Sequence, residues 1–415
     1  MSRLANADLS VVVLNSFCHA QGGASRVAID GAVGLAHYGV KVTFLGSVGP
    51  VCDELSNAPL KVICLGQTEL AVAGVKPQVM LQGLWNRQAY SALDTLLGTQ
   101  DPARTIVHLH GFPQALSSSP VRAALNRGFE VVCTLHDFFA ACPTGGFFDF
   151  VAREPCQRRA LSFECITTNC DKRRYSHKLY RVARSVVQLQ FGRLPRGVHN
   201  YISLSRRSKE LLLPYLPRDA RIYAVANPVE VEKAIPVDVA RNTDVVAVGR
   251  LDIEKGVEVL VEAVRRAGMR LTLIGDGPLR DRAEASGVCR VTGWIPRDEV
   301  IAELEKARVL VFPSLCYETY GLGVGEAAGR GIPAIVSDLC AAAERVEDGV
   351  SGWHARAGDV GDLVRCLDLI RDDALVKSAG LSAYNRFWAN PPTRERHVSE
   401  LTAVYKEILD RSDFE

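Results

Sequence analysis

The chain of 415 residues has almost no net charge, since 49 basic and 47 acidic side chains leave a formal +2. So even a balance gives no global electrostatic case for a nucleic-acid partner, whose binding starts from a basic surface. No apolar run approaches the length that crosses a bilayer, and Met1 to Asp8 lack the positive-then-apolar layout of a secretion signal. The expectation is a cytoplasmic protein. Its 12 cysteines would then be mostly reduced, and Cys64, Cys133 and Cys289, set in strand patterns, are read as small buried hydrophobes. Internal repeats and low-complexity linkers are also missing. Gly275-Asp276-Gly277-Pro278 is a tight turn after a strand, but it lacks the third glycine and the ribose acid of a dinucleotide fingerprint, which argues against an oxidoreductase.

What is present is an alternation. Apolar residues make up 47% of a chain too long for one core, so two domains are expected. Strand patterns at Leu9–Leu14, Lys41–Leu45, Leu60–Leu65, Thr105–His110, Glu130–His136 and Tyr201–Leu204 are separated by helical stretches. The pattern restarts at Val245–Gly249, with further strands at Leu271–Ile274, Val309–Phe312 and Ala334–Val336. In between, Val257, Leu260, Val261 and Val264 form one apolar helix face, stopped by Gly268. Strands spaced by helices predict an α/β protein built from two Rossmann-like, doubly wound domains facing a cleft. The prolines at 217, 228 and 236 and a loss of periodicity place the boundary within 219–238. The expected division is therefore 1–218, then 219–390, then a helix over 391–415.

Ligands bind such sheets at the carboxyl ends of their strands, and two stretches there stand out. In Pro313 to Pro333, glycines at 321, 323 and 325 fall where a strand hands over to a helix, so free backbone N–H groups can face an anion. Glu318 and Glu326 flank that turn, and an ionised carboxylate accepts two hydroxyls of a sugar or ribose ring. Either glutamate alone would serve equally as a helix cap or on a solvated face. In Gly249-Arg250-Leu-Asp-Ile-Glu-Lys255-Gly256, two cations lie beside a helix start; unless this is merely a solvated loop, they suit a diphosphate.

The spacing of Glu318 and Glu326, with Glu-Ala-Ala-Gly-x-Gly-x-Pro after it and Gly-Arg-Leu-x-x-x-Lys-Gly at 249–256, resembles the retaining GT-B glycosyltransferases of family GT4. Gly22-Gly23-Ala24 supports the resemblance, which spans nearly the whole chain. It implies that Arg250 and Lys255 hold the donor diphosphate, that Glu326 accepts the ribose and that Glu318 contacts donor-sugar hydroxyls. It further implies that Gly249 belongs to the donor-binding set, that the amides of Gly321 and Leu322 touch phosphate and that Gly22 and Gly23 close over it from the other domain. His136, in Thr-Leu-His-Asp at a strand end, matches the family's active-site histidine, although read alone a strand-end histidine is more often structural. His108 and His110 are read as structural. The implied chemistry is metal-independent, with no cofactor beyond the UDP- or GDP-sugar substrate. The sugar would pass with retention to a glycan or lipid-linked acceptor, in cell-surface polysaccharide or glycolipid synthesis. A nucleotide-sugar 2-epimerase and a catalytically silent nucleotide-sugar-binding protein share the architecture. Departures from the family are Tyr320 for phenylalanine, Ser25 for glutamate, and Asp338 to Glu344, which lacks a glycine pair.

The segment 138–171 breaks the rhythm. Its Cys142, Cys156, Cys165 and Cys170 lack paired knuckle spacing; they are read as free or disulfide-capable thiols, with structural zinc as the alternative. The basic stretch Lys172-Arg173-Arg174 then opens a helix running to about residue 191, on which Tyr175, Leu179, Val182, Val186 and Leu189 make an apolar stripe. Such a helix either packs on its sheet or lies on the anionic inner face of the cytoplasmic membrane.

Overall fold

A computed structural model describes residues 6–69 and 77–412. The first sheet has seven parallel strands: β1 (Ser10–Phe17), β2 (Lys41–Val48), β3 (Lys61–Cys64), β4 (Thr105–Leu109), β5 (Glu130–Thr134), β8 (Asn200–Ser203) and β9 (Arg221–Ala224), in the order β3-β2-β1-β4-β5-β8-β9. Between β5 and β8, the strands β6 (Phe148–Asp149) and β7 (Glu154–Pro155) form a two-residue antiparallel ladder within the cysteine-rich segment. The second sheet has six parallel strands: β10 (Asp244–Val248), β11 (Arg270–Ile274), β12 (Cys289–Val291), β13 (Ala307–Phe312), β14 (Ala334–Ser337) and β15 (Gly352–Ala355), ordered β12-β11-β10-β13-β14-β15.

Side-chain alternation along β1 shows how the first sheet buries both faces. Val12 and Leu14 enter one core with Leu93, Val107 and Leu116, while Val11 and Val13 enter another with Ile29, Leu35 and Phe44. The second sheet shares one core, in which Leu260 and Val264 of the helix Val257–Ala267 pack on Leu273 and Val309. Gly268 ends that helix in the left-handed conformation, φ +62°, as its position after the apolar face predicts.

One feature differs from the sequence expectation. Arg221–Ala224 is the edge strand of the first sheet, pairing with β8, so that sheet extends past residue 218. Its short Arg-Ile-Tyr-Ala pattern, followed by prolines, gave no strand signal of its own. The C-terminal helix Arg394–Ser412 buries Val398, Leu401, Tyr405 and Ile408 in the core made by β1 and the helix Gly23–His37. It therefore returns to the first sheet.

In both sheets strand order reverses beside the first strand, between β1 and β4 and between β10 and β13. A crevice opens at such a switch point, outside the carboxyl ends of the strands. The loops leaving β10 and β13 are those that carry Arg250, Lys255 and Glu318.

Candidate active site

A cavity of about 570 Å³ lies between the two sheets, with Gly22, Gly23 and His136 on one side and Gly249, Arg250, Lys255, Glu318, Gly321, Leu322 and Glu326 on the other. All ten expected site residues line it.

The loop after β10 is locked against the loop after β13. Gly256 sits at φ +70°, and a Cβ there would stand 2.0 Å from the Pro313 carbonyl oxygen, so only glycine permits the approach. Leu315 N–H donates to Glu254 O at 2.9 Å across the same seam. This brings the Lys255 ammonium onto Glu318, whose carboxylate also accepts from the Ser314 hydroxyl at 2.8 Å. Burial raises the Glu318 pKa, but Lys255, Ser314 and Arg250 outweigh it and hold it below the ordinary glutamate value. Burial opposes the Lys255 charge, and Glu318 reverses that effect, raising its pKa. Glu318 adopts φ +46°, a left-handed conformation that a side chain rarely takes and that tends to mark functional positions.

Arg250 pairs with Glu254 and, at 3.3 Å, with Asp252. Asp252 in turn holds Lys172, and Arg153 reaches Glu258 at 2.8 Å, so the cysteine-rich segment and the basic residue after it clasp the opposite domain. The helix Leu322–Gly329 starts at Gly321, φ +87°, where an added Cβ would meet the Ala342 Cβ at 2.7 Å. Its first N–H groups and its dipole favour an anion at that end.

Glu326 lies on that helix and pairs with Arg297 at 3.1 Å. Burial raises its pKa and Arg297 only partly counters this. Arg297 also donates to Glu230 O at 2.7 Å, and Glu230 is approached by Arg26 and Arg394 of the other domain, so Glu326 belongs to an ion network spanning the two domains. Arg297 carried no signal in its local sequence. Trp294, which is 72% exposed and lines the cavity, was also missed; its position just past β12 was the available cue. Glu344 caps the helix Arg206–Leu212 by accepting from the Arg206 and Arg207 amides at 3.0 and 2.8 Å, which accounts for an acid in a loop lacking the glycine pair.

His136 leads to the residues read as structural. It contacts His110 at 2.9 Å, His110 contacts His108 at 3.2 Å, and His108 contacts Tyr405 at 2.6 Å and Thr134 at 2.7 Å. Burial, with His397 nearby, pushes the His136 pKa down to about 3, so the ring is neutral at physiological pH.

Cys142, Cys156, Cys165 and Cys170 line one small void with Lys178. The ammonium of the fully buried Lys178 donates to Cys170 Sγ at 3.1 Å and to Cys165 Sγ at 3.5 Å. Among the described residues no disulfide forms and no three His, Cys, Asp or Glu side chains are arranged to hold a metal. The helix Tyr175–Gln190 buries one residue of its apolar stripe, Val182, and exposes others. Lys178, Arg184 and Gln188 are buried while Tyr175, Leu179 and Val186 are exposed.

Residues 242–373 match the family model of glycosyl transferases group 1. The chain carries a group 1 glycosyltransferase domain. This domain contains Gly249, Arg250, Lys255, Glu318, Gly321, Leu322 and Glu326. Glycogen synthase of Mycobacterium tuberculosis is 35% identical over 138 residues, 30% of this chain and 33% of that protein. The 2-deoxystreptamine glucosyltransferase of Streptomyces kanamyceticus is 31% identical over 177 residues, 40% of this chain and 45% of that protein. The chain thus spans about a third of the length of the glycogen synthase it matches. Among solved structures, sucrose-phosphate synthase from Thermosynechococcus elongatus superposes with TM-score 0.70 at 15% identity over 97% of this chain and 100% of that one. HepE from Anabaena, in complex with UDP and glucose, gives TM-score 0.64 at 16% identity over 96% and 99%. At such identities these structures speak to architecture, and the architecture is GT-B.

Proposed function

We propose that the protein is a retaining glycosyltransferase of the GT4 type, moving a sugar from a nucleotide-sugar donor to a glycan or lipid-linked acceptor. The observation that carries this reading is the convergence, in one interdomain cavity, of Arg250 and Lys255, the N-terminus of the helix after Gly321, and the carboxylates Glu318 and Glu326. The cations and helix amides suit a diphosphate whose negative charge grows as the bond to the sugar breaks. Each charged hydrogen bond there contributes about 1.5–3 kcal/mol. Glu326 accepts ribose hydroxyls, Glu318 accepts sugar hydroxyls, and Trp294 offers a stacking face for the base. HepE, with UDP in its structure, supports UDP as the first nucleotide to try. Retention follows if the acceptor hydroxyl attacks on the face the leaving phosphate vacates and that phosphate takes the proton. Neither a metal nor an enzymic nucleophile is then needed.

For the acceptor, the exposed Tyr175, Leu179, Val186 and Phe191 lie on and just beyond one helix, preceded by the exposed Arg173 and Arg174. Apolar side chains beside arginines suit the surface of an anionic membrane and a lipid-linked acceptor at its cytoplasmic face. Lys172 takes no part, being held by Asp252. Sedimentation with anionic but not neutral liposomes is expected, and its loss in Leu179→Glu would locate the contact; indifference to both changes would remove the membrane from the proposal.

The enzymic reading is tested by incubating the protein with a panel of UDP-, GDP- and ADP-sugars and following nucleotide release. One donor is expected to turn over slowly in water and to give a sugar of unchanged anomeric configuration. Inversion would reject the retaining mechanism, and failure of every donor to bind would reject the transferase.

A further inference from the structure

The chain of side chains behind His136 specifies how its ring is protonated. Each neutral imidazole has one N–H and one bare nitrogen, so a run of hydrogen-bonded imidazoles is directional. His108 anchors the run. Its Nδ1 lies 2.6 Å from the hydroxyl of Tyr405, a side chain with no exposed surface, and its Nε2 lies 2.7 Å from Thr134 Oγ1. A phenol is the better donor of the two hydroxyls and an aliphatic alcohol the better acceptor. Tyr405 O–H therefore donates to Nδ1, and Nε2–H donates to Thr134. His108 Nδ1 is then an acceptor, and its single lone pair is shared between the Tyr405 O–H at 2.6 Å and His110 Nε2–H at 3.2 Å. His110 Nδ1 is thereby left bare, and His136 Nε2–H donates to it at 2.9 Å. His136 Nδ1 is the nitrogen left over. Among the described residues it has no hydrogen-bond partner, and its ring lines the cavity.

We infer that Tyr405, on the C-terminal helix, sets the tautomer of His136 through His108 and His110, keeping Nδ1 as a hydrogen-bond acceptor toward the cavity. The C-terminal helix is thus a working part of the site as well as a strap, since its Tyr405 hydroxyl fixes a ring two side chains away. Tyr405, His108 and His110 are positioning residues. His136 would accept a hydrogen bond from a hydroxyl of the sugar or acceptor, a role that rests on the glycosyltransferase reading, whereas the tautomer does not.

The test is therefore spectroscopic. With [15N]histidine, long-range proton–nitrogen correlations of the whole protein at neutral pH distinguish protonated from bare ring nitrogens. In the wild type His136 should show Nε2 protonated and Nδ1 bare, as a single form. Tyr405→Phe keeps the ring packing and removes the donor, and should turn the His136 signal into a mixture of tautomers. His110→Asn, which breaks the run in its middle, should do the same if Tyr405→Phe folds poorly. Leu401→Ala weakens the same helix without touching the run and should leave the tautomer unchanged. Protonated Nδ1 in the wild type, or a His136 signal unmoved in both Tyr405→Phe and His110→Asn, would overturn the inference, and neither result bears on whether the protein transfers sugar. If transfer is found, Tyr405→Phe should lower kcat several-fold with little change in donor KM.

Discussion

Lys255 faces two demands, as partner of Glu318 and as ligand of the donor diphosphate, and substitution separates them. Lys255→Met leaves the Glu318 carboxylate without its cation. Removing one member of a fully buried pair costs about 3–5 kcal/mol. Here the side chains keep 28% and 16% of their exposure, so solvent screening brings the expected loss to about 2 kcal/mol. Adding Glu318→Gln removes the stranded charge while the amide oxygen still accepts from Ser314, and stability should return to within about 1 kcal/mol of wild type. Donor binding should not return, because the phosphate has lost a charged hydrogen bond of about 1.5–3 kcal/mol, roughly 10- to 150-fold in affinity. Urea unfolding of the four proteins of the cycle measures the coupling, and calorimetric titration with the nucleoside diphosphate measures affinity. The Glu318 pKa is lowered in the folded state, so the pair's contribution is present at neutral pH and fades as pH falls through that lowered value. Additive stability effects would refute the ion-pair reasoning, and a double variant that binds like wild type would remove Lys255 from the phosphate site.

Other substitutions probe neighbouring parts of the argument. Gly256→Ala should cost more than about 2 kcal/mol by unfolding, because its Cβ would strike the Pro313 carbonyl; Gly22→Ala, with nothing within 4 Å and extended backbone, should fold normally yet weaken donor binding. A normally stable Gly256→Ala would contradict the locked seam. Arg297→Ala should let the Glu326 pKa rise further and reduce donor affinity about tenfold, the loss growing as pH is lowered; affinity insensitive to pH would exclude an ionised Glu326 as the ribose acceptor. Burial raises Asp137 from 3.8 to about 6, so the folded state holds its proton longer than the unfolded chain and stability falls as pH rises through that window. Asp137→Asn should flatten stability between those two values, and an unaltered slope there would remove Asp137 as its source.

Much of this was legible because the features are local. Buried parallel strands write themselves as Val-Val-Val-Leu runs, and the phosphate loop and the Glu318–Glu326 turn each lie within a few residues at a strand end. What could not be read depends on contacts between distant segments. Arg297 meets Glu326 from 29 residues upstream, and Tyr405 meets His108 across 297. β9 was invisible because an edge strand of four mixed residues needs its neighbour β8 to be a strand at all. The basic helix stayed open between packing on its sheet and lying on a membrane for a related reason. Lys178 and Arg184 are drawn inward by partners elsewhere, the thiols of the cysteine-rich segment and the carbonyls of Pro113 and Pro143.

The central claim is that a nucleoside diphosphate binds between Arg250, Lys255 and Glu326, and calorimetric titration of UDP and GDP into the wild type, Arg250→Ala and Glu326→Ala tests it most directly. One of the two nucleotides should bind the wild type with an affinity that weakens as salt is raised. Arg250→Ala should lose roughly tenfold or more and flatten that salt dependence, and Glu326→Ala should lose affinity while retaining it. Equal binding by all three proteins, or no binding to any, would contradict the account.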